Sequence, residues 1–192
     1  MKKPVLIIVF AAFLATGAVF ADHPKGWGVG VQGGFDGGWI GSDLGSGAAL
    51  SLKIPYVPVF WAVNLGLGSS HFRVGLSGDY YFIDKPLVPA ANLHWFLGGG
   101  GWIHFYSYSR TERGVDSNYT SLAFGARVPI GLSWQPLPWL EVFADFAPSL
   151  GVAIDTDGKY KDGGGTEHKW HDGGVRFPAG GWGGDLGVRF WF

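Results

Sequence analysis

Apolar residues recur at every second position through eight separate stretches of this chain, and a period of two means extended backbone with two unlike faces. In GWGVGVQGGFD the apolar set is Trp27, Val29, Val31 and Phe35, and in AALSLKI it is Leu50, Leu52 and Ile54. FWAVNLGLG places Trp61, Val63, Leu65 and Leu67 on one face, and HFRVGLSGDYYFI places Phe72, Val74, Leu76, Tyr80 and Phe82. LHWFLGGGGWIHFYS gives Leu93, Trp95, Leu97, Ile103 and Phe105; SLAFGARVPIGLSW gives Leu122, Phe124, Val128, Ile130, Leu132 and Trp134. WLEVFADFA carries Leu140, Val142, Ala144 and Phe146, and the final GGDLGVRFWF carries Leu186, Val188, Phe190 and Phe192. Eight strands therefore need a cover for eight apolar faces.

The leader bears on what that cover is. Residues 1–21, MKKPVLIIVFAAFLATGAVFA, have a basic start at Lys2 and Lys3, an apolar centre from Val5 to Leu14 and a small-x-small end at Val19-Phe20-Ala21. That is the pattern of a cleaved secretory signal peptide, and residues 22–192 then form one domain. Losing two lysines takes the formal charge from −1 to −3, so no nucleic-acid partner is implied. No cysteine is present, so an exported chain is held here without disulfides. Glycine is 34 of 192 residues, far above the usual ~7%, but aromatics at 17% argue against disorder. After Ala21 no apolar run approaches the ~18 residues of a spanning helix. A soluble β protein and a membrane β-barrel remain.

The connections alternate in character. PYVP, DKPLVPAAN and PLP are short and proline-containing, whereas GGWIGSDLG, SYSRTERGVDSN and the stretch from Asp155 to Gly180 are longer and polar. Short turns at one end and long loops at the other is the asymmetry of outer-membrane barrels. Trp27, Trp61, Trp95 and Trp134 all fall at the short-turn end, as an interfacial aromatic girdle requires.

The polar face separates the two barrels. A soluble barrel turns that face to water and fills it with Lys and Glu. Here it is mostly Gly, Ala, Ser and Asn, with Lys53, Arg73, Arg127 and Arg189 balanced by Asp79, Glu141, Asp145 and Asp185. Small residues let opposite walls of a narrow barrel interdigitate, and buried charges are tolerated only when paired. The expectation is an interior ionic network, with solvent-facing charges as the alternative. Pro129 lies inside a strand without an edge to hide it, so a bulge or kink is expected there. Trp139 falls in phase with Glu141 and is expected to point inward.

Asp185, Gly187, Phe190 and Phe192 resemble the C-terminal assembly signal of bacterial outer-membrane barrels: polar, x, Gly, x, x, hydrophobic, x, terminal aromatic. With the signal peptide and eight alternating segments, the chain resembles the small OmpA/OmpX/OmpW barrels. SLKIPYVPVFWAVNLG and GGWGGDLGVRFWF resemble a spirochaete family of OmpA-like barrels with little assigned function. The resemblance implies an all-β, eight-stranded, antiparallel up-and-down transmembrane barrel in the bacterial outer membrane. It also implies outer-membrane lipid and the barrel assembly machinery as partners, and carries no catalytic residue and no cofactor.

Other chemistry is weaker in the residues. Gly28-Val29-Gly30-Val31-Gln32-Gly33 fits a dinucleotide fingerprint, but its glycines lie inside an alternating strand instead of opening a helix. His168 and His171, with Glu167 and Asp172, have metal-ligand chemistry in a Gly-rich loop that offers no scaffold, so no metal is expected. His94 and His104 share the inward face of their strand, as packed histidines or as a protonation switch. The lipid-modifying esterase pattern of some small barrels finds only His104 with Ser107 and Ser109, which lie on opposite faces, so no enzyme is expected. The expected role is structural, or surface interaction with a host or environmental protein through the loops. The alternative is a narrow pore or a lateral route for small hydrophobic solutes.

Overall fold

A computed structural model describes residues 26–38, 45–67, 71–112, 115–161 and 164–192. The proposed signal peptide and its cleavage site lie outside the described residues. The strands are β1 (Gly28–Gly38), β2 (Gly45–Lys53), β3 (Phe60–Leu67), β4 (His71–Val88), β5 (Leu93–Glu112), β6 (Val115–Arg127) and β7 (Ile130–Leu137). They continue with β8 (Leu140–Phe146), β9 (Ser149–Asp155), β10 (Gly158–Lys161), β11 (Glu167–His171) and β12 (Gly174–Trp191). Every pairing is antiparallel, and β1 pairs with both β2 and β12, which closes the sheet.

Ten of these strands make eight staves. β5 pairs with β6 above and β7 below, so these two are halves of one stave; β12 pairs with β8 and β9 in the same way. β10 and β11 form a hairpin laid against the top of β6.

Following the register once around the wall gives the stagger. From Arg189 the row runs through Gly30, Ser51, Ala62, Ser77, Trp102, Gly125 and Gly151, and returns to β12 at Ala179, ten residues along the strand from its origin. An eight-stranded barrel with such a shear has an interior just wide enough for side chains. This row faces inward, and seven of its nine residues are Gly, Ala or Ser. The glycine-rich face is thus the lumen wall, thinned so that the few large residues can reach across.

The other face is apolar and outward. Val31 is 59% exposed, Leu50 56% and Leu186 64%, while Phe96 and Glu141 inside are at 0%. The oily residues coat the outside and the charged ones fill the middle, the reverse of a water-soluble barrel.

Several elements differ from the sequence reading. At Pro129 the ladder is interrupted without a shift: Arg127 faces Gly100 and Ile130 faces Leu97, so the two residues between them oppose two. The Pro129 carbonyl still accepts from the Gly98 N–H at 2.8 Å. The stave read as ending at Ala147 resumes after Pro148 as β9. β4 runs on to Val88, so only 89–92 turn. The long loop from Asp155 to Gly180 shrinks to 156–173, because β12 starts at Gly174 and β10–β11 occupy much of what is left. A true bulge sits instead in β12, where Arg176 and Ala179 face Ala153 and Gly151.

Candidate functional site

The lumen is filled in layers. Nearest the short turns, Phe60, Tyr81 and Phe96 from three adjacent staves form a continuous stack, with centroids 4.3 and 4.2 Å apart and planes within 16°. Trp191 meets Phe60 edge-on and donates its indole N–H to Glu141 Oε2 at 2.9 Å. The same oxygen accepts Arg189 Nη1 at 2.7 Å, while Ser133 Oγ donates to Glu141 Oε1 at 2.8 Å. Arg189 also donates through Nε and Nη2 to Ser51 Oγ, and its guanidinium lies 4.7 Å from the Phe60 centroid and 4.4 Å from that of Phe143. Charge pairing, shared hydroxyls and two aromatic faces together offset the cost of holding this pair out of water.

The next layer sets one cation among three acids. Arg127 meets Asp79 at 3.4 Å, Asp145 at 3.7 Å and Asp185 at 3.5 Å, tying β6 to β4, β8 and β12 across the barrel. A cavity of about 10 Å³, room for one water, lies between the two layers and is lined in part by Gln32, Ser51, Asp79 and Arg189.

The eight charges grouped by the sequence therefore occupy distinct places. Glu141 and Arg189 form one pair, and Asp79, Arg127, Asp145 and Asp185 form a second cluster. Lys53 is buried but donates to the backbone carbonyls of Ile54 and Val57, closing off the β2–β3 turn. Arg73 lies nearer the long loops, across Gly47 and Gly66, with its guanidinium 6.0 Å from the Tyr106 centroid. Tyr106 in turn bonds His104 Nδ1 at 3.3 Å, beside Trp102.

The four positions of the C-terminal motif each have a place. Asp185 joins the Arg127 cluster. Gly187 backs the Phe143 ring, and a Cβ there would collide with that ring. Phe190 faces outward and stacks on Trp139 with planes 7° apart. Phe192 exchanges backbone hydrogen bonds with Trp27, joining the chain's last residue to the start of β1. Trp27 and Trp134 are half exposed, and Trp61 lies over Gly78 while Trp95 is half-buried. Trp139 is outward at 51% exposure, correcting the inward expectation, because it sits in the turn before β8 where strand phase does not apply.

Inward residues the sequence reading did not single out are Phe60, Tyr81, Phe96 and Trp191. The signal for them was the aromatic doublet: Phe60-Trp61, Tyr80-Tyr81, Trp95-Phe96 and Trp191-Phe192 each give one ring to either face. His94 Nδ1 reaches the buried Asp84 at 3.3 Å, a pair that the bulge between Tyr81 and Ile83 brings to the inside.

Outside the barrel, His168 stacks on Tyr160 at 5.0 Å, Glu167 pairs with Lys159, and Asp157 and Asp172 both pair with Lys169. The side chain of His171, the second histidine of that group, lies outside the described residues. The Lys169 ammonium and the Gly173 N–H hold the Asp157 carboxyl below its ordinary range, and Asp157 followed by Asp172 raises Lys169. Ser107 falls on the outward face with Phe105, opposite His104, and the side chain of Ser109 lies outside the described residues. Gly28 to Gly33 lie within β1, which continues as strand to Gly38.

Among solved structures, the chain is similar to a major outer membrane protein from Thermus thermophilus, with TM-score 0.54 and 18% identity over 88% of this chain and 100% of that one. Neisserial surface protein A gives TM-score 0.48 and 18% identity over 86% and 97% of the two chains. The N-terminal β-barrel domain of Pseudomonas aeruginosa OprF gives 0.46 and 13%, again over 86% and 97%. The likeness to the Thermus protein agrees with the closed, outward-apolar barrel built up above. No curated protein matches the sequence. The family described as "Protein of unknown function (DUF3996)" matches residues 38–180, from the end of β1 to the bulge of β12. The chain is an outer-membrane-type β-barrel and belongs to that family.

Proposed function

We propose that this protein is an integral barrel of the bacterial outer membrane that serves as a rigid, closed platform for its long loops, with short turns and both termini at the periplasmic face. The observation that carries this reading is the layered lumen. The Phe60–Tyr81–Phe96 stack and the Arg189–Glu141 pair fill one layer of the interior and the Arg127 cluster the next, with a cavity the size of one water between them. Such packing favours a structural or surface-interaction role, with a host or environmental protein meeting the β10–β11 hairpin and its neighbouring loops. It disfavours a pore. Asp185, Gly187, Phe190 and Phe192 are assigned to recognition by the assembly machinery as well as to the contacts above.

Membrane fractionation with gel mobility before and after boiling tests the location. The reading expects the membrane fraction and a mobility shift on heating; a soluble fraction with unchanged mobility overturns it. Planar-bilayer recording tests the role: no reproducible single-channel steps are expected, and regular steps favour transport.

A further inference from the structure

The three short turns share a composition that a water-facing surface does not explain. Each, taken together with the end of the strand that leads into it, brackets apolar residues between prolines: Pro55-Tyr56-Val57-Pro58, Pro86-Leu87-Val88-Pro89 and Pro136-Leu137-Pro138. The bracketed side chains point outward, with Tyr56 fully exposed, Leu87 at 54% and Leu137 at 43%. Residues 54–59, 86–92 and 135–139 contain no Asp, Glu, Lys or Arg; the exposed Lys85 directly precedes the second stretch. At the opposite end, 156–173 carries Asp157, Lys159, Glu167, Lys169 and Asp172, among others.

The backbone is treated in the same way. Each proline removes one N–H donor, a group that is costly where water is scarce. Turn carbonyls are met from within: Lys53 Nζ bonds Ile54 and Val57, the Asn92 N–H bonds Pro89, and the Gln135 N–H bonds Asn92. These devices suit a medium poor in hydrogen-bonding partners. The turns also continue directly into the outward tryptophans, with Trp61 following the first, Trp95 the second, and Trp134 and Trp139 flanking the third.

We propose that the three proline-bracketed turns are a phospholipid-binding surface, immersed in the headgroup–acyl boundary of the inner leaflet instead of projecting into the periplasm. Tyr56, Leu87 and Leu137 are its anchors. Apolar side chains beside a tryptophan belt gain free energy by entering that boundary, and the one flanking charge, Lys85, has a long stem that lets its ammonium stay at the headgroups. This inference rests on the outer-membrane reading above.

The cysteine-free sequence allows a direct test. Tyr56→Cys, Leu87→Cys and Leu137→Cys, each labelled with an environment-sensitive fluorophore, are refolded into phosphatidylethanolamine–phosphatidylglycerol vesicles doped with headgroup- or shallow-chain nitroxide lipid. Val63→Cys on the outward face of β3 is the membrane control. Blue-shifted emission, strong quenching by the nitroxide lipids and loss of most quenching by aqueous iodide are expected at all three turns. Full iodide quenching without lipid quenching at the turns, while Val63→Cys is lipid-quenched, overturns this proposal alone and leaves the surface free for a periplasmic protein. Absence of lipid quenching at Val63→Cys as well overturns the membrane reading itself.

Discussion

The Arg189 guanidinium and the Glu141 carboxylate meet at 2.7 Å inside the barrel, each almost completely shielded from solvent. Trp191 and Ser133 hold the carboxylate in place, and Ser51 with the Phe60 and Phe143 rings holds the guanidinium. Removing one partner strands a buried charge, whereas replacing both need not. Glu141→Ala is expected to lower stability by about 3–5 kcal/mol, and Glu141→Leu with Arg189→Met by clearly less. Urea unfolding in lipid vesicles, run as a double-mutant cycle, checks both values.

The contact between Gly187 and Phe143 makes a steric prediction. A side chain at 187 meets the Phe143 ring and the Gln32 Cβ. Gly187→Val is expected to destabilise the barrel by about 1–3 kcal/mol, and adding Phe143→Ala is expected to recover part of that loss. Heat-induced mobility shift and urea midpoint read the effect, and equal midpoints for Gly187→Val and the parent would remove the overpacking explanation.

Lipid-facing positions make an electrostatic one. Leu50 lies on the outward face of β2 and Ser51, one residue on, is buried. Leu50→Arg is expected to cost about 2–4 kcal/mol if it lies near the bilayer midplane, measured by reversible unfolding in vesicles. In detergent-free buffer the same change would be nearly neutral for a water-soluble barrel.

The hairpin outside the barrel makes a pH prediction. Lys169 and the Gly173 N–H favour ionised Asp157, so its carboxyl is held low. A depressed carboxyl stabilises the folded hairpin above its ordinary range and loses that contribution as pH falls through the lowered value. Lys169 is raised, so its share is present below the ordinary lysine range and fades as pH climbs through the higher one. The Gly173 amide resonance, 2.8 Å from Asp157 Oδ1, is expected to titrate on the acid side, and Asp157→Asn to abolish that titration.

The outward face was legible because a strand's period of two is strict and the lumen of a narrow barrel selects small residues. Val29, Val63 and Ile130 announce their orientation by what alternates with them. The parts that were not legible have local causes. Pro148 looks like a strand end, yet its stave resumes at Ser149 because the neighbouring ladder with β12 continues past the interruption. Trp139 broke phase because it belongs to a turn. The eight interior charges could be counted but not apportioned, since which acid meets Arg127 and which meets Arg189 depends on the stagger of the staves. The inward rings Phe60, Tyr81, Phe96 and Trp191 are hidden inside doublets in which only the outward member continues the apolar alternation.

The central claim is the direction each strand faces, and nitroxide scanning of β3 tests it most directly. Single cysteines at Ala62, Val63, Asn64 and Leu65, spin-labelled in vesicles, are read for collision with lipid-soluble oxygen and with a water-soluble nickel chelate. High oxygen accessibility is expected at Val63 and Leu65, with protection from both reagents at Ala62 and Asn64. Nickel accessibility at Val63 and Leu65, with no alternation in oxygen collision, would contradict the account.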